Sequence, residues 1–179
     1  VYVMRKSFLI KVVAECIARN RMVFARDVLQ RGVQDYRIYG YRFDGFAGVL
    51  GSKKSFFDAN MALTDSAVRA DLFPKDRPVY TKLKDCDPVQ YGLHAKVKNT
   101  LVGDGAHVDG EVENCIIFRG AKISRHAKLQ NCVIMQNVTV GDNCQLGSII
   151  ADKNVVIRNG CTLQGSESYP VYIAKNSII

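Results

Sequence analysis

The chain has 179 residues, of which 47% are hydrophobic and 23% charged, an ordinary balance for a globular protein. No apolar run approaches the roughly 20 residues of a membrane span, and no basic-then-apolar start suggests a signal peptide, so we expect a cytoplasmic protein without membrane contact. The formal net charge of +8 is scattered and lacks interleaved aromatic residues. This pattern argues against nucleic-acid binding and leaves an acidic partner or a phosphorylated ligand open.

The N-terminal part of the chain mixes strand and helix patterns. The opening VYVM reads as a strand already under way, from which we expect the chain to be the C-terminal part of a longer protein. Ser7 is positioned to cap a helix with one apolar face, and a second short helix is predicted from Phe24 to Gln30.

The next segment has a β-rich stretch followed by two helix starts. YRIYGYRF, residues 36–43, favours strand structure. Ser52 and Asp65 each precede a helical pattern and predict N-terminal caps. Residues 74–90 hold three of the four prolines and predict an extended linker.

From about residue 91 the sequence becomes a repeat. Apolar residues recur at steps of five or six, and a small or β-branched residue stands two positions before nearly every one. A 17-residue period with three short sides is typical of a hexapeptide β-helix. The predicted inward positions are Val112, Ile117, Ile123, Leu129, Ile134, Val140, Leu146, Ala151, Ile157 and Leu163. After Leu163 the period breaks, which predicts a loop over residues 164–170 and a further partial coil.

The cysteines follow the same period. Cys115 and Cys132 are one period apart, as are Cys144 and Cys161. We therefore expect each pair to stack between adjacent coils, about 4.8 Å apart, as small buried apolar residues. Parallel stacking is poor geometry for a disulfide bond.

Three histidines, His94, His107 and His126, raise two further possibilities. Some hexapeptide acyltransferases use a histidine base, but the sequence places His94 and His126 outward, as ordinary surface residues. The spacings between the three histidines do not match the coil period, which argues against a three-histidine zinc site.

An extended set of motifs carries a family resemblance: RDVLQ, YGYRFDGF, KSFFDANMALTD, LFPKDRPVYTKLKD, AKVKNTLV, VENCIIFRGAKI and ESYPVYI. They resemble the C-terminal half of glucose-1-phosphate adenylyltransferase (ADP-glucose pyrophosphorylase), and its GlgD-type subunit in particular. The resemblance implies an α/β end of a nucleotidyltransferase domain (1–73), a linker (74–90) and a left-handed parallel β-helix (91–179).

The same resemblance implies a reaction, and it also implies that this chain lacks one metal-binding carboxylate. The family makes ADP-glucose and pyrophosphate from ATP and glucose 1-phosphate for glycogen synthesis, with Mg²⁺ at the attacked phosphate. Aligned on GFAGVLGSKKSFFDAN, residues 45–60, the chain has Val49 where catalytic relatives have a metal-binding Asp. Val49 offers no hard oxygen ligand, so we expect no catalytic or metal residue in this chain. Asp44, in GYRFD, is the one candidate replacement.

The resemblance also implies how the protein assembles and how its activity is regulated. The resemblance implies a tetramer that is controlled by metabolites. In it, this chain would assemble either with a catalytic adenylyltransferase subunit or with further copies of itself. Family effectors are sugar phosphates or phosphate bound near the domain junction, where Arg77, Lys82 and Lys84 lie in this sequence. The expected function is a regulatory subunit; the alternatives are an active nucleotidyltransferase or, less favoured, a hexapeptide acyltransferase.

Overall fold

A computed structural model describes residues 1–82 and 84–179. The chain divides into two compact units, Val1–Asp44 and Gly45–Ile179. The boundaries at 73 and 90 refer to the domains of the family and stay predictions. No helix in the described parts of the chain is long and apolar enough to cross a membrane.

The first unit contains two helical segments. Helix α1 spans Lys6–Ala18, and a π-helical segment spans Ala25–Gln30, close to the predicted second helix. The Ser7 cap is wrong: the helix already includes Ser7, and Arg5 at the N-cap makes no side-chain hydrogen bond.

Two predicted β segments have no strand structure. The described residues 1–4 and 36–43 are paired with no other strand, and Tyr39 and Tyr41 are 84% and 90% exposed. A β-rich composition forms a strand only when another strand satisfies its backbone groups. No described segment pairs with either of these stretches.

The second unit contains fifteen short strands in three parallel five-stranded sheets. Their orders are β1-β4-β7-β10-β13, β2-β5-β8-β11-β14 and β3-β6-β9-β12-β15, so every third strand pairs. This is a parallel β-solenoid, as the repeat predicted. The strands are β1 Gln90–Tyr91, β2 Lys96–Lys98, β3 Leu101–Val102, β4 His107–Val108, β5 Glu111–Glu113, β6 Ile116–Ile117, β7 Lys122–Ile123, β8 Lys128–Gln130, β9 Val133–Ile134, β10 Thr139–Val140, β11 Gln145–Gly147, β12 Ile149–Ala151, β13 Val156–Ile157, β14 Thr162–Gln164 and β15 Val171–Ile173.

The inward residues form the core that the period predicted. Nine of the ten predicted positions are buried, and the tenth, Leu163, packs half-buried against the same cluster. Most strands pair with the strand one full period later, as Leu129 does with Leu146. The last step is longer, with Ile149 paired to Val171, because the predicted loop before Val171 adds five residues to that coil.

One corner is two residues shorter than the rest, at Gly110. Strands β2 and β5 consequently pair two residues short of a full period, as Val97 does with Val112. A Cβ at Gly110 would lie 2.5 Å from the carbonyl oxygen of Ala127. Only glycine lets the chain turn so tightly against the next coil.

Two helices precede the solenoid in this unit. Helix α2, Lys53–Ala62, begins at the predicted Ser52 cap, where Ser52 and Ser55 form a capping box. Helix α3, Ser66–Leu72, is capped by Asp65, also as predicted. Phe57 of α2 packs on Val133 and Ile150, so this helix covers the sheet that contains β9 and β12.

The stacked cysteines are buried apolar residues, as predicted. Cys115, Cys132 and Cys144 are fully buried and Cys161 is half-buried. The Cys132 N–H points at Cys115 Sγ at 3.3 Å, which places the pair in successive coils. Burial raises the pKa of the Cys115 thiol and favours its neutral form.

The solenoid offers a matched test of its inward register. Val140 is fully buried, whereas Val156 points outward in the same sheet and is 38% exposed. We expect Val140→Ala to lower the free energy of unfolding by about 2 kcal/mol, because it loses buried methyl groups and leaves a cavity. Val156→Ala should cost well under half of that in urea unfolding followed by circular dichroism. Equal losses would contradict the register.

Candidate functional site

A column of left-handed residues lies along one corner of the solenoid. Gly105, Gly120, Asn137, Asn154 and Asn176 all have positive φ values between 58° and 68°. Glycine and asparagine tolerate this conformation best. Asn137 donates a side-chain hydrogen bond to Asn154 at 3.3 Å, and Asn154 donates one to Asn176 at 3.0 Å. We call these five residues the corner column.

The residue before each corner position forms a second stack. The backbone N–H of Asn154 donates to the carbonyl of Gln136 at 3.0 Å, and that of Asn176 donates to the carbonyl of Lys153 at 3.0 Å. Successive members are therefore one strand spacing apart, about 4.8 Å. From Arg119 onward this stack reads Arg119, Gln136, Lys153 and Lys175; Asp104 precedes it in the first coil.

The segment between α3 and β1 runs beside this corner and is tied to it at Asp87, next to the start of β1 at Gln90. The carbonyl of Asp87 accepts a 2.6 Å hydrogen bond from Gly105 N–H, and Gln90 N–H donates to the carbonyl of Ala106 at 2.9 Å. Between linker and corner lies a cleft with a volume of about 480 Å³. Its lining residues are Lys82, Lys84, Cys86, Gly105, Arg119, Gly120, Gln136, Asn137, Lys153, Asn154 and Lys175. We call it the basic cleft.

Two of the three predicted effector residues line this cleft. Lys82 and Lys84 face it, whereas Arg77 does not line it and lies 3.7 Å from the carboxylate of Asp76 with 77% of its side chain exposed. Sequence reasoning missed Arg119, Lys153 and Lys175. The regular spacing of positions 119, 136 and 153 was a usable signal, had the period been extended from apolar to polar positions.

The cleft is positively charged. Five cations line it, and no carboxylate is among its described lining residues. Within the described chain these five make no ion pair, whereas other lysines do: Lys96 and Lys98 pair with Glu111 and Glu113 on a different sheet. Clustered cations without carboxylate partners raise the local concentration of anions.

A nearby carboxylate responds to these charges. Burial raises the pKa of Asp152, but hydrogen bonds from the Lys153 N–H and the Tyr172 hydroxyl, with the charges of Lys153 and Lys175, outweigh it and lower the pKa. The Tyr172 hydroxyl donates to Asp152 at 2.8 Å. Asp152 therefore stays ionised. Its carboxylate is hydrogen-bonded to the Lys153 N–H and the Tyr172 hydroxyl, and it does not line the cleft.

Gln136 adds a polar feature of another kind. Its amide oxygen Oε1 is buried and accepts no hydrogen bond from the described residues. A buried acceptor without a donor costs about 1–3 kcal/mol. Because this oxygen is out of reach of solvent, it marks a local cost in the packing of Gln136 and is no contact point open to the cleft.

His94 and His126 are both exposed, as predicted. In addition, their ring centres lie 5.2 Å apart. They meet because one shortened coil and one full coil separate them, while His107 lies in β4. Asp109 accepts from the His94 N–H at 2.9 Å, and this hydrogen bond contributes most to the lowered pKa of Asp109.

The two positions that the sequence analysis considered for metal binding, Val49 and Asp44, are both exposed. Val49 is 79% exposed and carries no ligand atom. Asp44 is exposed and its carboxylate accepts a 2.7 Å hydrogen bond from Arg42. Mg²⁺ takes oxygen ligands, and the Val49 side chain offers none.

Comparisons with known proteins agree with the repeat and with the motifs. A family model described as GlmU-like, C-terminal hexapeptide matches residues 88–167. The glycogen biosynthesis protein GlgD of Bacillus subtilis is 39% identical over 89 residues, 50% of this chain and 26% of that protein.

Two glucose-1-phosphate adenylyltransferases match as well. That of Fusobacterium nucleatum is 33% identical over 107 residues, covering 59% of this chain and 28% of the relative. That of Thermosipho africanus is 30% identical over 127 residues, covering 70% of this chain and 31% of the relative. The chain thus spans between a quarter and a third of the length of these relatives.

The basic cleft should bind inorganic phosphate through its lysines. We expect Lys153→Gln combined with Lys175→Gln to weaken phosphate binding at least about tenfold at low salt, because each lost charge-assisted contact contributes about 1.5–3 kcal/mol before screening. Isothermal titration calorimetry measures the affinity. Lys75→Gln with Lys122→Gln removes the same net charge outside the cleft and should have little effect. Equal weakening by both pairs would indicate diffuse attraction rather than a site.

Proposed function

The chain belongs to the glucose-1-phosphate adenylyltransferase family as a GlgD-type sequence, and from that premise we propose that it is a regulatory subunit in glycogen biosynthesis. The basic cleft carries this proposal, because its clustered cations would hold an anionic effector. The proposed alignment, which puts Val49 at the metal position, supports a regulatory role over a catalytic one. The similarity to GlgD and to adenylyltransferases supports the pathway.

The proposed effector is a sugar phosphate. Its phosphate would contact the lysines and Arg119. Its sugar would lie against the amide side chains of Gln136, Asn137 and Asn154, which line the same cleft. Lysine and arginine hold phosphate oxygens through charge-assisted hydrogen bonds. Inorganic phosphate satisfies only the first of these needs and should bind more weakly.

Binding there would couple two parts of the unit. Lys82 and Lys84 belong to the linker that follows α3, whereas Arg119, Lys153 and Lys175 belong to the solenoid. An anion between them favours the arrangement in which linker and solenoid are close. A ligand shifts an equilibrium by its difference in affinity for the two states, so this bridging is what would make the anion an effector.

Catalysis would come from a partner. We propose that the chain assembles in the cytoplasm either with catalytic adenylyltransferase subunits or with copies of itself. In the first case the catalytic subunits would contribute the residues that hold Mg²⁺. Among the described residues, the first-coil strands β1, β2 and β3 each pair with a strand on one side only, and such edges favour assembly. A hetero-oligomer best fits the absence of an oxygen ligand at Val49.

The division of labour can be tested by pyrophosphate release from ATP and glucose 1-phosphate. We expect no turnover from the intact subunit alone. When it is added to a catalytic adenylyltransferase at fixed concentration, the apparent affinity for substrate or effector should change severalfold. A mixture that behaves as the catalytic subunit alone would contradict the regulatory proposal.

The active-enzyme alternative makes the opposite prediction through Asp44. Turnover by the lone subunit that Asp44→Asn abolishes would establish it as an enzyme with a displaced metal ligand. Asp58→Asn is the matched control, because Asp58 is also exposed and paired with a basic side chain, Lys54.

Gln136 should distinguish a sugar phosphate from phosphate. We expect Gln136→Met, which keeps the side-chain length and removes the polar amide from the cleft lining, to weaken binding of a sugar phosphate about fivefold. Binding of inorganic phosphate, which meets only the cations, should be unchanged in the same calorimetric titration. An equal effect on both ligands would mean that Gln136 supports the cleft rather than contacts a hydroxyl.

A further inference from the structure

His94 and His126 form a pair of exposed imidazoles at one corner of the solenoid, and neither lines the basic cleft. The corner lies between β1 and β2 in the first coil and between β7 and β8 in the third. The coil between them is two residues shorter at Gly110, and the two rings come together across it with their planes tilted by 57°. Two side chains of a kind that binds metals thus meet where the repeat departs from its regular length.

Asp109 holds the His94 side of this pair. Its carboxylate accepts a hydrogen bond from the His94 backbone N–H at 2.9 Å and lies 3.3 Å from His94 Nδ1. A carboxylate on one ring nitrogen fixes the tautomer and leaves the other nitrogen, here Nε2, as the free ligand atom. The same arrangement orients many histidines that bind metals.

His126 occupies a backbone conformation that its neighbours fill with other residue types. Its φ is 59°, and the equivalent residues of the next two coils are Asn143 and Gly160, with φ values of 57° and 73°. This left-handed conformation favours glycine and asparagine. The His126 ring is exposed, and no hydrogen bond from the described residues fixes its orientation. An imidazole therefore projects freely from a corner that does not require one.

We propose that His94 and His126 bind a divalent transition-metal cation, Zn²⁺ in particular, and that Asp109 is a positioning residue for His94. Neutral imidazole is a good ligand for such cations. In a tetrahedral zinc site with Zn–N bonds of about 2.0–2.1 Å, the centres of two imidazole rings lie about 5 Å apart. The observed separation of 5.2 Å matches this value, and the His126 ring can turn to direct a nitrogen at the cation.

Water would complete the coordination. Among the residues that the structure describes, no group of three or more histidine, cysteine or carboxylate side chains is placed to hold a metal. The chain therefore supplies two ligands and leaves the other positions open to solvent. The site differs from the Mg²⁺ site of the family's reaction, because Mg²⁺ takes oxygen ligands. The proposal goes beyond the regulatory function and does not depend on the basic cleft.

The charges around the pair set its affinity for a cation. Asp109 contributes a carboxylate, whereas Glu111 is engaged by Lys96 at 2.8 Å and by Lys128 at 3.8 Å. Arg125 is close enough for its charge to act on Asp109, and it forms no ion pair within the described chain. Asp109 therefore favours a bound cation and Arg125 opposes it.

A bound cation would fasten the first coil of the solenoid. The strands of this coil, β1, β2 and β3, pair with a strand on one side only. His94 lies between β1 and β2, whereas His126 belongs to the third coil, whose strands pair on both sides. A cation that joins the two imidazoles ties the outermost coil to an inner one, and a ligand that binds only the folded state stabilises it.

Co²⁺ is the probe for this site, because its visible absorption reports the ligands and Zn²⁺ displaces it. In a mildly alkaline buffer we expect His94→Gln and His126→Asn each to weaken Co²⁺ binding at least about tenfold, since each leaves a single imidazole. Asn suits the backbone at 126, as Asn143 shows one coil later. His107→Gln is the matched control and should leave the affinity within about twofold, because His107 lies outside the pair.

Two neighbouring variants separate a positioning role and a charge effect from folding. Asp109→Asn should weaken Co²⁺ binding about tenfold, as is usual for a residue that orients a ligand. Arg125→Gln should strengthen binding severalfold, which a merely structural disturbance would not do. Circular dichroism of the metal-free variants checks that each is folded.

The cysteines provide the competing outcome. Cys86 is exposed, and thiolate bound to Co²⁺ gives strong near-ultraviolet charge-transfer bands that imidazole does not. A spectrum dominated by those bands, binding that survives His126→Asn, or no binding by the unmodified chain would each overturn the proposal. Zn²⁺ should also raise the thermal midpoint of the unmodified chain and of His107→Gln but not that of His126→Asn. An equal rise in all three would contradict a clip between the first and third coils.

Discussion

Parallel pairing between successive coils is the constraint on which the solenoid depends. Each strand is only two or three residues long, so no strand is stable unless the coils on either side satisfy its backbone groups. Pairing one coil to the next satisfies them and stacks equivalent side chains at the same time, as with Ile117 and Ile134. A one-residue slip would turn the whole inward set toward solvent, so the apolar core and the backbone pairing enforce the same register.

The same stacking that builds the core also builds the candidate site. Tight corners require left-handed residues, which are glycine or asparagine along the corner column. Once those corners are stacked, the residues before them must stack too, and a repeat of basic side chains there becomes a charged surface. Backbone pairing between coils thus brings Arg119, Lys153 and Lys175 together. Their side chains contribute nothing to that pairing. Function on a solenoid can be added at an outward position without altering the inward one.

The sequence predicted the parts that depend on local or periodic patterns. The inward register, the caps at Ser52 and Asp65, the loop after Leu163 and the stacked cysteines are all present, because each follows from spacing or from a single hydrogen bond. The predicted strand at 36–43 is absent because no described segment pairs with it. The close approach of the His94 and His126 rings was missed because one coil is shortened at Gly110, which breaks the regular count. Arg77 was grouped with Lys82 and Lys84 by proximity in sequence, but only the two lysines line the cleft.

An excess of cations without ion pairs is the physical basis on which the basic cleft is proposed as a ligand site. A cluster of cations is costly for the fold to maintain because like charges repel, and here the described residues do not neutralise them with ion pairs. An anion that binds there relieves this repulsion. Lys82 and Lys84 would share that anion with Arg119, Lys153 and Lys175 of the solenoid, so its binding would favour the arrangement in which the two groups of cations are close.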